Sequence, residues 1–249
     1  MSKLRSISIV LLLSILAGCA TRSISNSDYD AGNRYGGNNP FYRGELSEFD
    51  ILGIDRGAKP SDDDIAKALS EKKLVSLKRG STLMLIQSGA LMPDDAMTKA
   101  LEKTYSVVAF TGVPVTQNTS NKTGTNEVSA ESYARSLRLA AARSGSENIV
   151  VYWGTLESAR ENLATSSVSW VPVVGWMLPD ERERMRIRLK IAVIDVRTGQ
   201  WELYSPEPID DHEFSNMIGR RKTDQSLVTT LKERAYVMAA DDLRKRFDR

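Results

Sequence analysis

Cysteine and histidine each occur once in the 249 residues, as Cys19 and His212. A single cysteine excludes an internal disulfide. A single histidine leaves only carboxylates to complete a zinc site. It stands in Asp210-Asp211-His212-Glu213, which reads as a solvated loop; the rival reading is the centre of an envelope hydrolase. No Gly-x-Ser-x-Gly elbow, phosphate loop or paired Gly-x-Gly-x-x-Gly stretch is present, so the usual hydrolase and nucleotide signatures are missing. The one Ser-x-x-Lys match, Ser70 to Lys73, falls at a predicted helix end. The expectation is therefore no catalytic residue, no metal and no cofactor. Charge of one sign is scarce too, with 34 Lys and Arg against 32 Asp and Glu. A nucleic-acid partner, which calls for a basic footprint, is not expected.

The N-terminus carries the clearest signal. Met1-Ser-Lys-Leu-Arg is followed by the apolar stretch Ile7–Ala17 and then Leu16-Ala17-Gly18-Cys19. A short basic start, a short apolar stretch and small residues describe a cleavable export signal. The stretch falls short of the roughly 20 residues that cross a bilayer. The spacing resembles the lipobox of bacterial lipoproteins, in which the cysteine is acylated and becomes the first residue. The resemblance implies a leader over residues 1–18 and a membrane-lipid partner held through acylated Cys19. Ala20, where an aspartate would favour inner-membrane retention, implies an outer-membrane location facing the periplasm. With Lys3 and Arg5 gone, the mature chain has 32 basic and 32 acidic residues.

Residues 19–44 read as a flexible tether. The Ser, Asn and Gly of residues 20–45 show no periodicity, and some twenty-five such residues have a root-mean-square span of roughly 30 Å. Phe41 and Tyr42 are expected to dock the end of the tether on the domain, or else to meet a partner. Residues 45–249 form the periplasmic domain. Helices are predicted from Ser61, as N-cap, to about Lys73, from Pro93, over 129–143 and over 224–247. Strands are predicted at 82–87, 106–110, 149–154, 167–174, 184–196 and 200–204. The order implies an α/β (α+β) fold, a mixed sheet with helices packed on it. Leu83–Ile86, Val107–Phe110 and Ile149–Tyr152 are expected at its centre. The last helix should place Leu227, Leu231, Ala235, Met238 and Asp242 or Leu243 on its core stripe.

The stretch Ser129 to Tyr204, with Ile149–Gly154 and Ile194-Asp195-Val196-Arg197-Thr198-Gly199, resembles the periplasmic α/β domain shared by the TolB N-terminal region and lipoproteins of the CsgG and penicillin-binding-protein-activator kind. That resemblance implies a similar architecture and, by analogy, work by binding in envelope assembly or regulation of an envelope protein. A pore subunit is a further alternative. Two surface features suit a partner. Val168 to Pro179 carries Trp170, Pro172, Val174 and Trp176, and tryptophan is a favoured contact residue; the plain reading is that both rings close the core. Arg184 to Lys190 alternates, setting Arg186 and Arg188 on one face. That row is either a solvated face paired with Glu181, Glu183 or Glu202, or a basic stripe for anionic envelope material or an acidic partner.

Overall fold

The computed structural model describes residues 22–26, 42–71, 74–114, 129–162, 167–172, 184–210 and 224–247. Its frame is one seven-stranded sheet, made of β1 (Thr82–Gln87), β2 (Ser106–Phe110), β3 (Asn148–Asn162), β4 (Ser167–Pro172), β5 (Arg184–Asp195), β6 (Trp201–Tyr204) and β7 (Ile209–Asp210). The order is β2-β1-β3-β5-β6, with β4 beside β3 and β7 beside β5. β1 runs parallel to β2 and β3, whereas β3, β5 and β6 are antiparallel neighbours. The sheet is mixed, as the alternation of elements implies.

Helices α1 (Glu48–Leu52), α2 (Asp62–Glu71), α3 (Asp95–Glu102), α4 (Ala130–Arg143) and α5 (Asp224–Phe247) complete the fold. Parallel neighbours need crossovers, and α3 supplies the one from β1 to β2, while α4 precedes β3. One face of the sheet packs Leu83, Leu85, Tyr152, Ile191 and Val193 against Met97 and Leu101 of α3 and Leu231, Tyr236 and Leu243 of α5. The other packs Met84, Ile86, Ile149, Val151 and Ile194 against Ile51 of α1 and Leu137 and Ala141 of α4. Strands covered on both sides read as unbroken apolar runs, which explains Leu83–Ile86 and Ile149–Tyr152.

Three expectations change. Val107–Phe110 is only half-buried, because β2 is an edge strand. Met238 is 47% exposed; Leu231, Ala235 and Leu243 lie on the core stripe of α5 as expected, joined by Val228 and Ala239. α2 does have Ser61 at its start, its hydroxyl accepting from the Asp64 N–H at 3.2 Å. Yet it buries no side chain, and leaves Ile65 and Leu69 52% and 72% exposed.

The last change concerns the tether. Within it, Arg22, Ser23, Ile24 and Ser25 are buried, and Ile24–Asn26 make a single 3-10 turn. Ser23 bridges Thr155, and the Leu156 N–H donates to the Arg22 carbonyl at 3.0 Å. These residues fill a gap along the edge of β3, between β1, which ends opposite Tyr152, and β4, which ends opposite Glu157. Two residues, Ala20 and Thr21, therefore separate Cys19 from the folded unit, rather than about twenty-five.

Candidate functional site

In open α/β sheets a crevice forms beyond the carboxyl ends of parallel strands, where the connections leave in opposite directions. Here that point lies between β1 and β3, and the chain's own residues fill it. Ile24 sits against Gly154, where a Cβ would come within 2.4 to 2.9 Å of its side-chain carbons. The Ser25 hydroxyl donates to the Ser88 carbonyl at 2.5 Å and accepts from the Gln87 amide at 3.0 Å. The Gln87 side-chain Oε1 in turn accepts from the Tyr152 hydroxyl at 2.5 Å and the Asp94 N–H at 2.7 Å.

From α5, the buried Lys232 ammonium pairs with the Asp94 carboxylate at 2.8 Å and donates to the Ile24 carbonyl at 3.3 Å. Tyr236 donates to the same carboxylate, and its ring meets that of Tyr152 edge-on with centroids 5.7 Å apart. Burial, and then the nearby Asp94 charge, hold the Tyr152 proton well above the ordinary phenol range. Tyr152 is thus a fixed neutral donor. The network satisfies buried polar groups with partners from β1, β3, α3, α5 and residues 24–25, and such satisfaction rigidifies.

Tyr42 closes the same end. Gly89 has φ +79°, and a Cβ there would meet the Tyr42 ring at 2.7 Å and Ser25 at 3.2 Å. Tyr42 thus docks on the domain, as one of the two sequence readings has it. Its hydroxyl pKa is pushed up to about 12, first by burial and then by Glu45.

On the face carrying α1 and α4, those helices stop short of the outer part of the sheet. An open row follows, Thr155 and Glu157 of β3 beside Arg186, Arg188 and Lys190 of β5. Glu157, 11% exposed, accepts from Arg186 Nε at 2.5 Å and from Arg188 Nε at 3.1 Å. Lys190 pairs with Glu48 of α1 at 2.5 Å. The basic stripe is therefore paired, but with Glu157 and Glu48; Glu202 instead accepts from the Val75 N–H. Arg186 is mostly covered, whereas the side chain of Arg188 is 46% exposed. Ser23, Glu45, Thr155, Arg188, Lys190 and Ser205 line a pocket of about 250 Å³ in this row.

Of the expected apolar contact, Trp170 and Pro172 belong to β4, where backbone register sets them opposite Ala159 and Glu157. The register brings the apolar strand and the basic row together across β3. Val174 and Trp176 lie outside the described residues, as do Cys19, His212, Glu181 and Glu183. Ser70 is exposed and its hydroxyl donates to the Lys67 carbonyl. Sequence reasoning missed residues 22–26; the available signal was Gly154, since a lone glycine in a strand marks a close approach.

A family model described as YafT bacterial lipoprotein matches residues 47–246. The chain belongs to that family. It is accordingly a bacterial lipoprotein, which places it at a membrane of the cell envelope. No curated protein matches it. The match spans the sheet and its helices and begins after the docked segment, so the family description covers the folded unit itself.

Proposed function

We propose that the protein acts by binding rather than by catalysis, as an outer-membrane lipoprotein that faces the periplasm and recruits a protein partner in envelope assembly or regulation. Acylation is assigned to Cys19, and Ala20 supports the outer membrane. The observation that carries the binding reading is the filled crevice. Where α/β folds keep small ligands, Ile24 and Ser25 are packed and hydrogen-bonded, so the surface left for recognition is open and suits a macromolecule. The architectural resemblance to the TolB and CsgG group points the same way.

The contact is assigned to Trp170, Pro172, Val174 and Trp176, with Arg188 and, more weakly, Arg186 steering the approach. Replacing both tryptophans with serine should abolish partner capture in cells, read by crosslinking from the domain, and leave the thermal midpoint nearly unchanged. Unfolding of the double variant would return both rings to the core and defeat the assignment. Cys19→Ser should end lipid labelling and membrane fractionation; a variant that still labels would refute acylation there.

A further inference from the structure

We propose that phospholipid headgroups are a direct ligand of the folded domain, and that the sheet region bearing Arg188 and Lys190 rests on the membrane that holds the anchor. The proposal rests on acylation of Cys19. Three peptide steps separate Cys19 from Arg22, and they cannot span more than about 11 Å. Arg22 is itself fixed by the Leu156 N–H bond to its carbonyl and by the adjoining Ser23 bridge to Thr155. An acylated cysteine lies at the headgroup level, so the neighbourhood of Arg22 lies there as well.

What surrounds that point suits phosphate. Thr155 pairs in register with Arg188, so Ser23 and Arg188 sit two strand spacings apart, about 10 Å. Arg188 gives only its Nε to Glu157. Its two terminal nitrogens have no partner among the described residues, and a guanidinium fork of this kind matches phosphate oxygens. Arg186 stands in register with Asp210 of β7 as well as pairing with Glu157, and Lys190 pairs with Glu48, so Arg188, 46% exposed, is the basic group of the row best placed to meet an outside anion. Basic groups at this distance are drawn to an anionic bilayer surface. At the other end of the sheet, the start of β3 at Asn148 lies about 23 Å from Thr155 along the strand, and the exposed Arg143 ends α4 there. A partner engaging β4 would then be met at the membrane surface.

The test uses the full lipidated protein. Its one native cysteine is acylated, so an introduced cysteine is the only free thiol. Ser205→Cys places a fluorophore in the exposed wall of the Arg188 pocket, Glu207→Cys repeats that probe two residues on, and Arg143→Cys marks the far end. Each variant is put into vesicles of phosphatidylethanolamine and phosphatidylglycerol that contain a nitroxide-headgroup lipid. Given the depth of the headgroup layer, quenching should be at least about threefold stronger at 205 and 207 than at 143. Adding Arg188→Gln should weaken quenching at 205 and leave vesicle flotation intact. Equal quenching at both ends, or no response to Arg188→Gln, would overturn the proposal while leaving acylation standing. A protein that fails to float with the vesicles would overturn both.

Discussion

The two halves of β3 are built on different principles. From Asn148 to Tyr152 the strand lies between parallel β1 and antiparallel β5, and Ile149, Val150, Val151 and Tyr152 are fully buried. From Gly154 onward one side stays in the core through Leu156, while Thr155 and Glu157 face the open row. The outer edge of this half is completed first by residues 22–23 and then by β4. A strand covered by its sequence neighbours announces itself as an apolar run. An edge completed by a segment about 130 residues away leaves almost no local trace.

The comparison breaks if Ile24 is dispensable. Ile24, 1% exposed, and Ile149, 0% exposed, belong to opposite core faces and opposite halves of the strand. Ile24→Ala and Ile149→Ala should each cost about 3 kcal/mol in chemical denaturation, the usual scale for a large-to-small change in a packed core. A cost below about 0.5 kcal/mol at Ile24, typical of exposed sites, would return residues 22–26 to a loose tether.

A smaller effect sharpens the same point. Gly154→Ala introduces a methyl into the space held by Ile24 and should cost about 2 kcal/mol by overpacking. In an Ile24→Ala background that cost should largely vanish, because the two side chains compete for one space. Additive costs would mean that Gly154 is required for another reason.

The smallest effect is electrostatic. Beside the docked segment Glu45 accepts from the Tyr42 hydroxyl at 3.5 Å, its Oε2 has no partner among the described residues, and burial raises its carboxyl above the ordinary 4.5. A raised acid favours the protonated form in the folded state. Its stabilising contribution is complete below that ordinary value and is lost as pH rises through the raised one. Glu45→Gln should therefore raise the thermal midpoint at pH 7.5 and leave it unchanged at pH 4. The opposite pattern would place Glu45 in a stabilising ion pair.

The elements with local causes were legible. Leu83–Ile86 reads as a buried strand because helices cover both faces, and Ala130–Arg143 starts at Ser129, which accepts from the Ser132 N–H as an N-cap should. The length of β3 was not legible, since Gly154-Thr155 reads as an ending when the partners beyond it are unknown. On α5 the core positions Leu231, Ala235 and Leu243 were legible, but Met238 is exposed and Lys232 takes a core position. Buried lysine is readable only once Asp94 and the Ile24 carbonyl are known to meet it. The basic alternation of β5 was legible, but its acids were not, because Glu157 and Glu48 come from distant elements.

The central claim is that residues 22–26 complete the sheet and so tie the lipid anchor directly to the fold. The Leu156 amide, bonded to the Arg22 carbonyl, reports on it without perturbing it. Hydrogen exchange is measured on the Cys19→Ser mature chain and on the same chain shortened to begin after Asn26, with the Val150 amide as reference for global unfolding. The account predicts slow exchange at Leu156 in the longer chain and, on shortening, an acceleration well beyond that at Val150. Equal exchange at Leu156 in the two chains would contradict it.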